Sequence, residues 1–220
     1  MKKIILKSAV VTALSMFMAG VQADGMGVGV AARYSTLGMG LEVGKSFTPH
    51  FGARLGLNQY STTDNQNIDN IDYSTKVDLS STGLMLDWYP LGGTFHLSAG
   101  YLNSNNKISA SATPAGSVTI GTNTVSVNAG DLVLNSEIKL GSGLFYGLGW
   151  GNVPASGFGM TFELGVVNMG TPDVSLTFID NTGTLGLVQA DIDQEIANMK
   201  GDLDEFDTYP VIALGFSYGF

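Results

Sequence analysis

Every second residue between 210 and 220 is large and apolar. Ile212, Leu214, Phe216, Tyr218 and Phe220 form one set, and the small residues Val211, Ala213, Gly215, Ser217 and Gly219 lie between them. A period of two marks a strand whose faces meet different surroundings. Bulky apolar side chains suit a wall against lipid, and small ones suit the crowded inside of a barrel. The pattern recurs along the chain. Its bulky face holds Met26, Val28, Val30, Ala32 and Tyr34 in residues 26–34, then Leu37, Met39, Leu41, Val43 and Phe47 in residues 37–47. Lys45 shares that face near its end, where a long side chain can snorkel. Residues 51–60 follow with Phe51, Ala53, Leu55 and Leu57, and residues 94–103 with Phe95, Leu97, Ala99 and Tyr101. In residues 73–89, Leu84, Leu86 and Trp88 point outward, but Val77 and Leu79 alternate in the other phase, which predicts a bulge near Ser80 and Ser81. The longest predicted strand, 131–150, puts Leu132, Leu134, Ile138, Leu140, Leu144, Tyr146, Leu148 and Trp150 outward. Residues 158–166 do so with Phe158, Met160, Phe162, Leu164 and Val166.

The connections alternate in length. Those at 48–50, 90–93 and 151–157 are short, and those at 61–72, 104–130 and 170–206 are long; the first, at Ser35 and Thr36, is the exception. Short turns on one rim and long loops on the other predict an all-β fold, an eight-stranded antiparallel up-and-down transmembrane β-barrel with short turns and both termini periplasmic. Phe47, Phe51, Trp88, Tyr89, Trp150 and Phe158 fall at the short-turn ends and are expected to form an aromatic girdle there. In the last long loop Ile192, Ile196, Met199 and Leu203 recur at helical spacing, interrupted by Gly201, which predicts a short acidic helix.

The N-terminus changes the picture of where the chain goes. Lys2, Lys3 and Lys7 precede an apolar run from Ala9 to Met18, and Val21-Gln22-Ala23 reads as a cleavage site. Residues 1–23 are therefore expected to be a signal peptide and residues 24–220 an outer-membrane barrel domain. Cleavage would shift the net charge from −9 to about −12, which argues against nucleic acid as a partner. With no cysteine there is no disulfide framework or thiol chemistry.

Several fragments resemble a known group. Leu86-Asp-Trp-Tyr-Pro90, Leu148-Gly-Trp-Gly-Asn152, Phe162-Glu-Leu-Gly-Val166 with Gly170-Thr-Pro-Asp-Val174, and the acidic segment before Tyr209-Pro210 look like small outer-membrane barrel proteins. This group is similar to the carbapenem-resistance-associated, ornithine-uptake outer-membrane channel. The resemblance implies an eight-stranded barrel in the bacterial outer membrane, with slow passage of small basic amino acids. It further implies that Phe220 serves as the insertion signal read by the barrel-insertion machinery, with outer-membrane lipid and lipopolysaccharide as surroundings. It brings no catalytic residues and no cofactor.

Charges on the small face are the candidate chemistry. Arg33, Glu42, Arg54, Asp87, His96, Glu137, Lys139 and Glu163 are expected to line the lumen, with Arg54, Asp87 and His96 towards the short-turn end and Glu42, Glu163 and Lys139 near mid-height. One reading makes them a salt-bridged polar core, since buried charges must be paired. The other makes them a selectivity lining, with the many Gly, Ala and Ser positions leaving water space and the acids favouring cations. Asp191, Asp193, Glu195, Asp202, Asp204, Glu205 and Asp207 make the last loop strongly acidic, either a solvated helix or a funnel for cationic solutes. Their spacing lacks the Asp ladder and final Glu of an EF-hand, so no metal site is expected. His50 and His96 both lie near short turns, away from the rim where lipid hydrolysis or proteolysis would occur, so an enzyme is not expected.

Overall fold

The computed structural model describes residues 27–68, 71–203 and 206–220; the expected signal peptide lies outside the described residues. Thirteen strands and one helix follow one another among the described residues. The first five strands are β1 (Val28–Ser35), β2 (Gly38–Thr48), β3 (Phe51–Ile68), β4 (Ile71–Trp88) and β5 (Phe95–Ser104). The middle of the chain forms β6 (Lys107–Thr113), β7 (Gly116–Ile120), β8 (Asn123–Val127), β9 (Leu132–Lys139) and β10 (Gly143–Trp150). Then come β11 (Gly157–Asn168), β12 (Asp173–Asp180), α1 (Gln189–Leu203) and β13 (Thr208–Gly219).

Eight of the strands close on themselves. In ring order β1, β2, β3, β4, β5, β10, β11 and β13 are each hydrogen-bonded to two antiparallel neighbours, and β13 returns to β1. The ring is strongly staggered. From Arg54, the register runs one way through Met85, Gly100 and Phe145 to Val167. The other way it runs through Gly44, Gly29 and Gly219 to Gly157. The two routes meet β11 ten residues apart, which tilts the strands steeply against the barrel axis. Outside, the alternating residues form an exposed apolar belt that includes Leu41, Leu86, Met160, Leu214 and Phe216. At the short-turn end Phe95, Trp150 and Phe162 pack ring against ring, as do Phe158, Tyr218 and Phe220.

Above the ring, on the long-loop side, part of the wall continues upward. The β3–β4 register runs unbroken from Phe51 opposite Trp88 to Ile68 opposite Ile71, so the expected bulge near Ser80 does not occur. The phase change of Val77 and Leu79 has another cause. In that upper half the apolar face is the inner one. β6 pairs with upper β4, β9 with β6, and β12 with β9. The expected long strand at 131–150 is accordingly two strands, separated at Leu140, Gly141 and Ser142.

The inner face of this wall carries Leu134, Leu176 and Phe178, and a second core forms over it. Ile120, Val125 and Val127 from the β7–β8 hairpin pack there with Leu132 and with Ile192 of α1. The helix keeps the expected stripe but runs through Gly201 rather than stopping at it. Asp191 accepts the backbone N–H of Val188 at 3.0 Å, closing the first turn from inside as a capping-box carboxylate does. Leu132, read as outward from the sequence, is fully buried in this core.

The second core makes a separable unit of the long loops. Ile192→Ala should cost about 2–5 kcal/mol of its packing. Limited proteolysis should then cut residues 181–203 faster, while the heat-modifiable mobility of the folded ring in detergent gels stays unchanged.

Candidate functional site

Inside the ring the strand tilt gathers charges that the sequence spreads along five strands. Arg54 on β3 is the hub. Its Nε donates to Asp87 Oδ2 at 2.6 Å and its Nη2 to Asp87 Oδ1 at 2.8 Å, a two-pronged guanidinium–carboxylate pair. The same Nη2 reaches Glu163 Oε1 at 2.8 Å and Ser98 Oγ at 2.9 Å, and Nη1 reaches Glu42 Oε1 at 3.2 Å. Ser98 donates in turn to Asp87 Oδ1 at 2.6 Å. Arg33 on β1 closes the cluster by donating to both Glu42 and Glu163. Arg54, Glu42, Asp87, Glu163 and Ser98 are each no more than 4% exposed. Three carboxylates thus enclose two guanidinium groups. Arginine is the cation suited to this place, because its planar fork serves several acceptors at once.

Above the cluster, towards the long loops, the lumen is apolar. Leu37, Met85, Leu102, Phe145, Val167 and Val211 form one buried layer across it. The glycines beside them are what let this layer fit. A Cβ at Gly147 would lie 2.6 Å from the Phe145 ring, and one at Gly165 only 2.5 Å. At Gly100 it would lie 2.4 Å from the Met85 sulfur. The small face of the strands is therefore not water space. It is the socket into which a few large side chains lie flat. Leu37, read as outward, instead turns in from the β1–β2 turn to join this layer. Between the layer and the charge cluster remains a cavity of about 30 Å³.

Below the cluster, at the short-turn end, the 151–156 turn folds inward. Val153 is buried, and its carbonyl oxygen lies so close to Gly29 that a Cβ there would be 1.9 Å away. His96 is buried at the same end against Gly149, with Nδ1 3.2 Å from the Thr94 carbonyl oxygen and Nε2 without a partner among the described residues. Its ring centroid is 5.2 Å from that of Tyr89. Tyr89, read as a girdle residue, is 2% exposed and belongs to this inner plug.

Of the eight expected lumen residues, Arg33, Glu42, Arg54, Asp87 and Glu163 share one cluster, and His96 lies below it. Glu137 and Lys139 do not line the lumen. They lie on β9, on the outer face of the wall above the ring, paired with each other at 3.2 Å, with side chains 29% and 58% exposed. The break at residues 140–142 moves the odd-numbered residues from the inner face in β10 to the outer face in β9. Glu137 also receives Lys107 at 3.4 Å, and these hydrogen bonds, first from Lys139 and then from Lys107, hold its carboxyl below the usual carboxylate range.

The acidic loop residues divide. Asp191 caps α1, and Glu195 accepts the Gly121 backbone N–H at 3.0 Å, tying the helix to the β7–β8 turn. Asp193 accepts from Gln189 at 2.8 Å. Asp202 and Asp207 are exposed, and Asp204 and Glu205 lie outside the described residues. The signals that reasoning from the sequence passed over were Leu102, Phe145 and Val167, all on the inward phase of their strands.

A staggered antiparallel ring of eight strands, filled by one charge cluster between two plugs, defines the class: an up-and-down β-barrel. Two solved structures share this fold. CarO2 of Acinetobacter baumannii matches with a TM-score of 0.62 and 19% identity, over 88% of this chain and 98% of that one. CarO of the same organism matches with a TM-score of 0.60 and 20% identity, over 88% and 97%. At this identity the likeness is one of fold. No family model and no curated protein matches the chain.

The cluster makes a stability prediction. Arg54→Ala leaves Asp87 without its bidentate partner and should cost about 3–5 kcal/mol. Urea unfolding of the folded protein in detergent would measure it, and Arg54→Lys should restore only part, since an ammonium cannot span the same acceptors.

Proposed function

We propose that this chain is a bacterial outer-membrane barrel whose lumen is shut and whose function is carried by its long-loop side, as a structural or adhesive surface. One observation carries this reading: the lumen is filled at three successive levels, by the Phe145 layer, the Arg54 cluster and the Val153 turn. The apolar belt, the aromatic residues at the short-turn end and the fold shared with CarO support placement in the outer membrane. No reacting group is displayed by this arrangement. Neither His96, shut in the lumen, nor His50, on an exposed turn, is hydrogen-bonded to a Ser or Asp side chain among the described residues.

The second reading is a low-conductance passive channel for small cationic solutes such as basic amino acids. What favours it is the surplus of one carboxylate in the cluster, beside the cavity of about 30 Å³. Passage would require Phe145 and the Arg54 cage to move apart.

Single-channel recording of the refolded chain, residues 24–220, in a planar bilayer separates the two. The closed barrel gives no discrete steps from protein whose folding is verified by its gel mobility. Steady, cation-selective steps altered by ornithine or arginine would establish the channel instead.

A further inference from the structure

The upper wall has two unlike faces, and among the described residues the second core covers the inner one over β9 and β12 while the outer one is left uncovered. Its outer face continues that of the apolar belt, because β4 runs straight through both. Trp88, Leu86 and Leu84 on that face give way to Ser80, Asp78, Lys76 and Ser74 with no change of side. Cross-strand pairing extends the polar face sideways in rows. Asp78 lies opposite Lys107, Lys107 opposite Lys139, and Lys139 opposite Asp173. The next row reads Lys76, Ser109, Glu137 and Ser175. The one above it reads Ser74, Ser111, Asn135 and Thr177. The side chains of the two upper rows line a shallow depression of about 370 Å³, and the Lys107–Lys139 row is the next one below it.

Two features of this face call for a ligand of a particular kind. The first is the Lys107–Lys139 pair. Like charges directly opposite on neighbouring strands repel. Here a single carboxylate, Glu137, serves both ammonium groups, while Asp78 is engaged by Lys76 at 2.6 Å and Asp173 by Lys200 of α1 at 3.6 Å. Positive charge is left over where the two lysines meet. The second is the field of hydroxyl and amide groups immediately above them, which can both donate and accept. Its height fits the same ligand. The lysine row stands six residues above Leu84 on β4, about 20 Å along the strand and less in height because the strands tilt.

We infer that this outer face binds a phosphorylated glycolipid of the outer leaflet, lipopolysaccharide, with a phosphate between Lys107 and Lys139 and sugar hydroxyls on Ser109, Ser111, Asn135 and Thr177. The inference rests on the outer-membrane reading above and deepens it by naming the partner of the long-loop side. A phosphate between the lysines relieves their repulsion, and the half-buried Ser109, Ser111 and Asn135 and the exposed Thr177 gain partners in the sugar layer.

The full chain, expressed in a Gram-negative host and purified from outer-membrane fractions in mild detergent, provides the test. Native mass spectrometry counts retained rough lipopolysaccharide, consisting of lipid A and core sugars. Titration then compares it with the same glycolipid after phosphatase treatment and with phosphatidylglycerol. Retention by the wild type is expected, with affinity about tenfold lower for Lys107→Gln/Lys139→Gln and for the dephosphorylated glycolipid, and wild-type affinity for Lys107→Arg/Lys139→Arg. Equal retention by the Gln variant, or phosphatidylglycerol bound as tightly as lipopolysaccharide, would overturn the inference while leaving the outer-membrane reading intact. A chain that is folded but absent from the outer-membrane fraction would overturn both.

Discussion

Burying Arg54 forces most of what surrounds it. A guanidinium group removed from water costs more than its burial returns unless every donor finds an acceptor. Asp87, Glu163, Glu42 and Ser98 supply those acceptors, and they come from four different strands. They can meet only because the ring is staggered by ten residues in one circuit, so that residues at different heights along their own strands reach one level. The cluster in turn pins the register. Slipping any of these strands by one residue would turn its charge into the apolar belt and leave the others unpaired.

The glycines serve the same closed interior. An eight-strand ring has room for side chains and little else. Beside several inward glycines the neighbouring Phe145, Met85, His96 or Val153 occupies the space. Bulk and its absence alternate across neighbouring strands, so the interior packs in layers, apolar above the charges and mixed below. The outward-facing surface runs the reverse course, from an apolar belt to a polar wall. One continuous strand, β4, carries both transitions at once.

Much of this was legible in the sequence, because a strand's period of two survives in any context. Alternation located all eight ring strands and assigned Arg33, Glu42, Arg54, Asp87, His96 and Glu163 to the inside. It failed where the chain leaves the ring. Glu137 and Lys139 were read through the break at Gly141 as though β9 and β10 were one strand, and the face changes there. Val77 and Leu79 looked out of phase only because upper β4 has an apolar inner face, part of a wall that the β7–β8 hairpin and α1 cover over β9 and β12 from far along the chain. That cover is a tertiary fact with no local signature. The mixture of glycine and charge on the inner face was likewise ambiguous: it is compatible with a watery lumen until the large residues that fill it, Phe145 and Leu37, are seen to point inward.

The central claim is that water does not run through the barrel, and the absence of cysteine from the chain permits a direct measurement. Gly56 lies on the inner face beside the small cavity, where a Cβ would be 3.6 Å from Glu42 Oε2, an ordinary contact. In Gly56→Cys, reconstituted in vesicles, a membrane-impermeant maleimide should fail to label the thiol from either side, and Phe145→Ala in the same background should make it reactive. Prompt labelling of Gly56→Cys with Phe145 in place would mean that the lumen is open, and the closed-barrel account would fall.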